Sequence, residues 1–82
     1  MVIHCLKTYG WAYDATACGN KSFEIRLNDR GFQKGDFVEL QRLHKDGTID
    51  SGAEILRREI TFVTHFKQHE NWCVFGTAET KK

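Results

Sequence analysis

Apolar and polar residues alternate with a period of two in several stretches, which sends successive side chains to opposite faces of a strand. The clearest case is residues 22–27, where Phe23, Ile25 and Leu27 alternate with Ser22, Glu24 and Arg26. The apolar row is expected to enter a core. The other row then presents a carboxylate beside a guanidinium, with Lys21 at the strand mouth. Residues 2–6 are rich in β-branched and apolar types and predict a first strand. Residues 37–43 predict a third, with only partial alternation. Residues 57–66 predict a long strand with Ile60, Phe62 and Thr64 on one face and Glu59, Thr61 and Val63 on the other. Residues 72–76 predict the last.

Residues 10–18 break this rhythm. They hold three alanines and one β-branched residue, Thr16, and Gly19 then fits the position just past a helix C-terminus. One short helix is predicted there, and at that length it depends on tertiary support. Asn28-Asp29-Arg30-Gly31 and Gly35-Asp36 read as turns, Asp46-Gly47 as a hairpin turn, and residues 67–71 as a polar loop. Residues 49–56 suit either a short edge strand or a loop around Ser51-Gly52. The fold class that follows is mainly β with a short helix: a small, closed or nearly closed β-barrel with one helix near one end. Closure would protect strand edges that a small open sheet leaves exposed.

The chain has 82 residues, enough for one small core. Residues 1–78 are expected to form a single domain and residues 79–82 a frayed tail. The formal net charge is +1, so global charge points to no nucleic-acid partner. A local excess does exist: Lys21, Arg26, Arg30 and Lys34 stand against Glu24 and Asp29. Three cysteines without close spacing do not make a disulfide framework, and a reduced, cytoplasmic protein is the simpler expectation. No apolar run approaches the ~18 residues a membrane span requires, and the start is too short and polar for a signal peptide.

Candidate chemistry is concentrated around the second strand. Glu24 and Arg26, two apart on one face, form either a partly exposed ion pair or a cleft. In a cleft, Glu24 accepts from a base edge or ribose hydroxyl and Arg26 meets a phosphate or stacks on a base. Lys21 is either a solvated lysine or a phosphate contact at the cleft mouth. Asn28 and Arg30 belong to a turn and form a second tier of candidates. Tyr9, Trp11 and Tyr13 lie around the helix start; Trp11 is expected to border the cleft, where it could cover a base, and Trp72 to be largely buried. Cys5 and Cys73 read as small apolar strand residues. His65, His69 and Cys73 recur every four residues, a metal-site spacing on a helix, but they fall on strands and loop. No metal and no cofactor are predicted.

The order of these residues is familiar. His4-x-Leu6-Lys7, then Gly19-x-Lys21-x-Phe23-Glu24-x-Arg26-x-Asn28-Asp29-Arg30, then Phe32-x-x-Gly35-Asp36 resembles the short bacterial and phage branch of the ASCH-like domains, within the PUA-like superfamily. The resemblance covers roughly residues 3–40. It implies a PUA-like β-barrel with a cleft beside the first helix and a role in binding RNA or a nucleotide-like ligand. Lys21, Glu24 and Arg26 match the motif lining that cleft, and Lys7 a basic position at the end of the first strand. Ala12, Thr16 and Ala17 depart from the larger apolar residues common in the helix, and Ser51-Gly52-Ala53-Glu54 replaces a common threonine-glycine-arginine.

Some ASCH-like proteins look like amidohydrolases that remove an acyl group from a modified cytidine, using a lysine, a threonine and a glutamate. Lys21 matches the lysine, but Glu24 occupies the threonine position and no glutamate near the C-terminal strands matches the third. A binding module is therefore expected, with Lys7, Lys21, Glu24, Arg26, Asn28, Arg30 and Trp11 as its residues. The alternatives are that hydrolase, or an accessory module that docks on a protein partner through Trp11 or Trp72.

Overall fold

Five strands and one helix follow one another as β1 (Ile3–Tyr9), α1 (Gly10–Ala17), β2 (Phe23–Leu27), β3 (Phe37–Leu43), β4 (Leu56–Thr64) and β5 (Trp72–Glu79). The computed structural model describes residues 1–79. The strands form one sheet in the order β1-β3-β4-β5-β2, curled into a half-barrel. β1 pairs in parallel with β3, and the remaining neighbours pair antiparallel. The mainly β architecture with one short helix is therefore the one the sequence pattern indicates.

Inside the curl, alternate residues meet. His4, Leu6 and Thr8 point inward from β1, Val38 and Leu40 from β3, and Cys73 and Phe75 from β5. The core is completed by Ile60 of β4, Tyr13 of α1 and Phe32 from the loop before β3. Each large apolar side chain fully buried here contributes about 1.5–3 kcal/mol.

Helix α1 follows β1 without a linker. Gly10 makes this possible, because a Cβ there would lie 3.0–3.1 Å from the Arg42 guanidinium and the Leu43 carbonyl. Arg42 uses that space to donate to both Asp14 carboxylate oxygens at 2.9 Å and to Asp50 at 3.3 Å. The Tyr13 hydroxyl donates to the Glu54 carbonyl. Gly19 leaves the helix at φ +86°, in the left-handed region that glycine adopts freely. Ala12 and Thr16 are buried, so the small residues of α1 are the ones that let it sit close to the sheet.

Four differences from the sequence reading have local causes. β4 carries an irregularity between Ile60 and Phe62: Ile60 pairs with Thr77, but Phe62 pairs with the adjacent Gly76. The extra residue, Thr61, reverses the alternation. Phe62 turns outward and Val63 turns toward the core, the opposite of the expected faces. Cys5 is exposed on the outer face of β1, 3.7 Å from Glu39, whereas Cys73 is wholly buried as expected. β1 continues to Tyr9, so Lys7 lies within the strand rather than at its end. β5 continues through Glu79, whose carboxylate approaches Arg58 at 3.8 Å, so Glu79 is strand and not tail. The rest of the expected tail, residues 80–82, lies outside the described residues. Residues 49–55 are loop apart from a single bridge between Leu43 and Ile49, and Leu56 opens β4.

The start of β1 is latched to the start of β3. The buried His4 ring donates to the Asp36 carboxylate at 3.0 Å, and the Val2 N–H donates to its other oxygen at 3.2 Å. Phe32 packs on His4 with ring centroids 4.7 Å apart. The hydrogen bond from His4 holds the Asp36 carboxyl below its ordinary value of 3.8, and the Val2 N–H adds to that effect. A depressed folded value stabilises the protein fully above the ordinary one and is lost as the pH falls through the folded value. Asp36→Ala should therefore lower stability by about 1–3 kcal/mol at neutral pH. Urea denaturation across the acid range should also show a shallower acid loss in the variant than in the parent.

Candidate functional site

A five-stranded curl leaves two edges, and here they are β1 and β2. Among the described residues no backbone ladder joins them. Unpaired edge groups favour other partners, and a side chain supplies them. Arg26 reaches across the seam from β2, donating from Nη1 to the Lys7 carbonyl at 3.2 Å and from Nη2 to Thr8 Oγ1 at 3.2 Å. Its Nε donates back to Glu24 Oε1 at 3.1 Å. Lys21 donates to the Phe23 carbonyl at 2.6 Å and to the second Glu24 oxygen. Glu24 is only 4% exposed, yet both its oxygens are satisfied.

This cluster turns β2 inside out relative to the sequence expectation. Glu24 and Arg26 pair in register with the buried Phe75 and Cys73, so they face inward. Phe23, Ile25 and Leu27 face outward and are roughly half exposed. Pattern alone sends an apolar row to the core. Here the bridge across the seam can be made only from the inner side, so the charged row takes that side.

Over the seam lies a groove of about 930 Å³. Lys7, Lys21, Glu24, Arg26, Arg30 and Trp11 all line it. Lys7 and Arg30 are exposed, and neither makes an ion pair among the described residues. Trp11 is 74% exposed and stands at the rim, its ring against that of Tyr9. The outward row of β2 forms an apolar wall, continued by Trp72, which pairs with Leu27. Trp72 is 40% exposed rather than largely buried, because it shares the outer face of the sheet with that row.

Asn28 is absent from the lining. Its side-chain oxygen accepts from the Phe32 N–H at 2.9 Å and its own N–H donates to the Asn71 carbonyl at 2.6 Å, which fixes the turn after β2. Thr8 was not a candidate. Nothing in the sequence shows which strand lies across the seam, so its contact with Arg26 had no local signal. Tyr9 carries one, as one of the three aromatics around the helix start. His65 is held by the Trp72 carbonyl at 3.2 Å, whereas Cys73 lies in the core.

The groove offers two kinds of polar group. Lys21, Glu24 and Arg26 are committed to one another and form a fixed wall with few free donors. Lys7 and Arg30 remain available to an anion. No helix among the described residues is long and apolar enough to cross a membrane.

A family model described as a domain of unknown function, DUF3850, matches residues 3–77, and the chain belongs to that family. No curated protein matches it.

Arg26 closes the seam, so removing it should loosen both edges. Arg26→Met is expected to destabilise the fold by about 1–3 kcal/mol, less than a fully orphaned buried charge costs, because Lys21 still meets Glu24. Hydrogen exchange should speed up in β1 and β2 and change little in β3 and β4. Uniform acceleration across all strands would show that Arg26 has no particular role at the seam.

Proposed function

We propose that this DUF3850 protein is an ASCH-like member of the PUA-like superfamily that binds RNA or a nucleotide-like ligand in the groove between β1 and β2. One observation carries the reading. Lys7, Lys21, Glu24, Arg26, Arg30 and Trp11 come from different segments, yet they line a single concavity. A concave site with an apolar wall and a few convergent polar groups is the usual form of a small-ligand pocket. Cations beside an exposed aromatic ring suit a phosphate and a base respectively.

The geometry divides the work. Lys7 and Arg30 supply phosphate contacts. Arg26, Lys21 and Glu24 form the preorganised wall, in which the buried Glu24 carboxylate holds the two cations in place. Trp11 covers the base. The Lys21 ammonium is already held by Glu24 and the Phe23 carbonyl, a poor arrangement for a catalytic base. That favours binding over hydrolysis of an acylated cytidine, and no release of acid from such a substrate is expected.

A protein-docking reading has its own observation. Phe62 is 62% exposed and lies across Gly76 from Phe23 on the outer face of the sheet. An apolar surface of this kind is a common feature of interfaces.

Fluorescence anisotropy with a short labelled single-stranded RNA separates the two. Lys7→Glu with Arg30→Glu should weaken binding at least tenfold and lower the slope of log affinity against log salt by about one to two, since each lost phosphate contact removes about 0.7. Phe62→Ser should leave binding unchanged. Unaltered affinity in the folded double variant would count against the groove and in favour of the outer face.

A further inference from the structure

The groove does not stop at helix α1. Tyr9 and Trp11 stand with ring centroids 6.2 Å apart and planes within 12° of parallel. Both are largely exposed, at 67% and 74%. They line the groove over the seam and also a second cavity of about 470 Å³, so the two concavities share this aromatic ridge. Beyond the ridge lie Arg42, His44 and Lys45. Arg42 is committed to Asp14 and Asp50, and His44 lies 3.8 Å from Asp50. Lys45 is exposed and makes no ion pair among the described residues, while the neighbouring Asp46 carboxylate accepts from the Thr48 N–H and hydroxyl. Lys7 and Arg30 thus line the cavity on one side of the Tyr9–Trp11 ridge, and Lys45 lines the cavity on the other.

We propose that the site takes a single-stranded oligonucleotide several residues long rather than a mononucleotide, with bases stacked on the Tyr9–Trp11 ridge and the backbone running from Lys7 on one side to Lys45 on the other. The inference rests on the groove reading and extends it. A mononucleotide is served fully by the first cavity, and leaves the second cavity, the outer ring faces and Lys45 without a role. Alternating cations and flat aromatic faces along a continuous depression are how sequence-tolerant single-strand binding is built. The edge of β1 that Arg26 ties down ends at Tyr9, so the ridge stands on a fixed strand rather than on a loose loop.

Anisotropy with labelled oligouridylates of two, four, six and eight nucleotides, and with a labelled mononucleotide, tests this in the full chain. Affinity is expected to rise at least tenfold between the dinucleotide and the hexanucleotide. Lys45→Glu should weaken the hexanucleotide about fivefold or more and leave the dinucleotide unchanged. Trp11→Ala should weaken the hexanucleotide by roughly 5- to 100-fold, the range for loss of one stacking ring. All these side chains are exposed, and a matching urea midpoint verifies that each variant folds. Equal affinity for mononucleotide and hexanucleotide, or a hexanucleotide indifferent to Lys45→Glu and Trp11→Ala, would overturn the extension while leaving the groove reading intact. Failure to bind any of the probes would instead remove the groove reading itself.

Discussion

Glu24 lies almost wholly inside the curl with Lys21 on one oxygen and Arg26 on the other, and much of the molecule's form follows from keeping it so. A carboxylate taken out of water is costly unless it is paired and hydrogen-bonded. Arg26 meets that requirement and still has donors left, which it extends to the Lys7 carbonyl and the Thr8 hydroxyl. One side chain thereby satisfies a buried acid and a bare strand edge together. The arrangement fixes which face of β2 points inward, and so places its apolar row outside as a wall of the groove.

The half-barrel thus achieves by side chains what a larger barrel achieves by backbone pairing. With β1 and β2 at the two ends of the sheet order, full closure would require a further ladder between them. A ladder would fill the seam and leave no groove. Bridging it with a guanidinium holds the edges in place but keeps them apart, and the space between them becomes the concavity. The His4–Asp36 latch and the Arg42 network do similar work elsewhere: the first secures the start of β1 to β3, and the second secures α1 to the loop beyond β3. All three devices act on β1 and its helix, at one edge of the sheet.

Much of this was legible in the sequence, and the exceptions share a cause. β3 and the short helix closed by Gly19 lie within a residue of where pattern and turn chemistry put them, because those signals are local. Alternation puts Phe62 on the wrong face because the irregularity at Thr61 leaves no mark in the residues around it and shows only in the register with β5. β2 was read with its faces exchanged because period-two alternation identifies two faces without saying which is inside. Hydrophobicity ordinarily decides that, but here the hydrogen bonds that Arg26 makes across the seam outweigh three apolar residues at a sheet edge. The site shows the same division. Lys21, Glu24, Arg26 and Arg30 are identifiable by type and spacing, Trp11 by its place near the helix start and Lys7 only through the family resemblance, while their roles are not. Arg26, the obvious phosphate ligand by sequence, is largely spent on structure, whereas Lys7 and Arg30 are left available.

That redistribution bears on how a chain of net charge +1 can attract an anion at all. Screening confines the influence of an exposed charge to about 8–10 Å at ordinary salt, so the balance within the groove matters more than the total. Of the acids near the helix, Asp14 and Asp50 are paired with Arg42, and Asp46 accepts from Thr48. Glu24 is buried beneath Lys21 and Arg26. What faces solvent along the seam is therefore an apolar and aromatic surface with Lys7 and Arg30 beside it, offset in part by the exposed carboxylate of Asp29. Such a surface exerts little pull at a distance and discriminates at contact, where stacking and close ion pairing act together. A strongly basic protein would gain association rate and lose selectivity for the same contacts. On the proposed reading, near-neutrality with a locally positive groove selects ligands that present both a flat apolar ring and a phosphate within reach of the same few side chains.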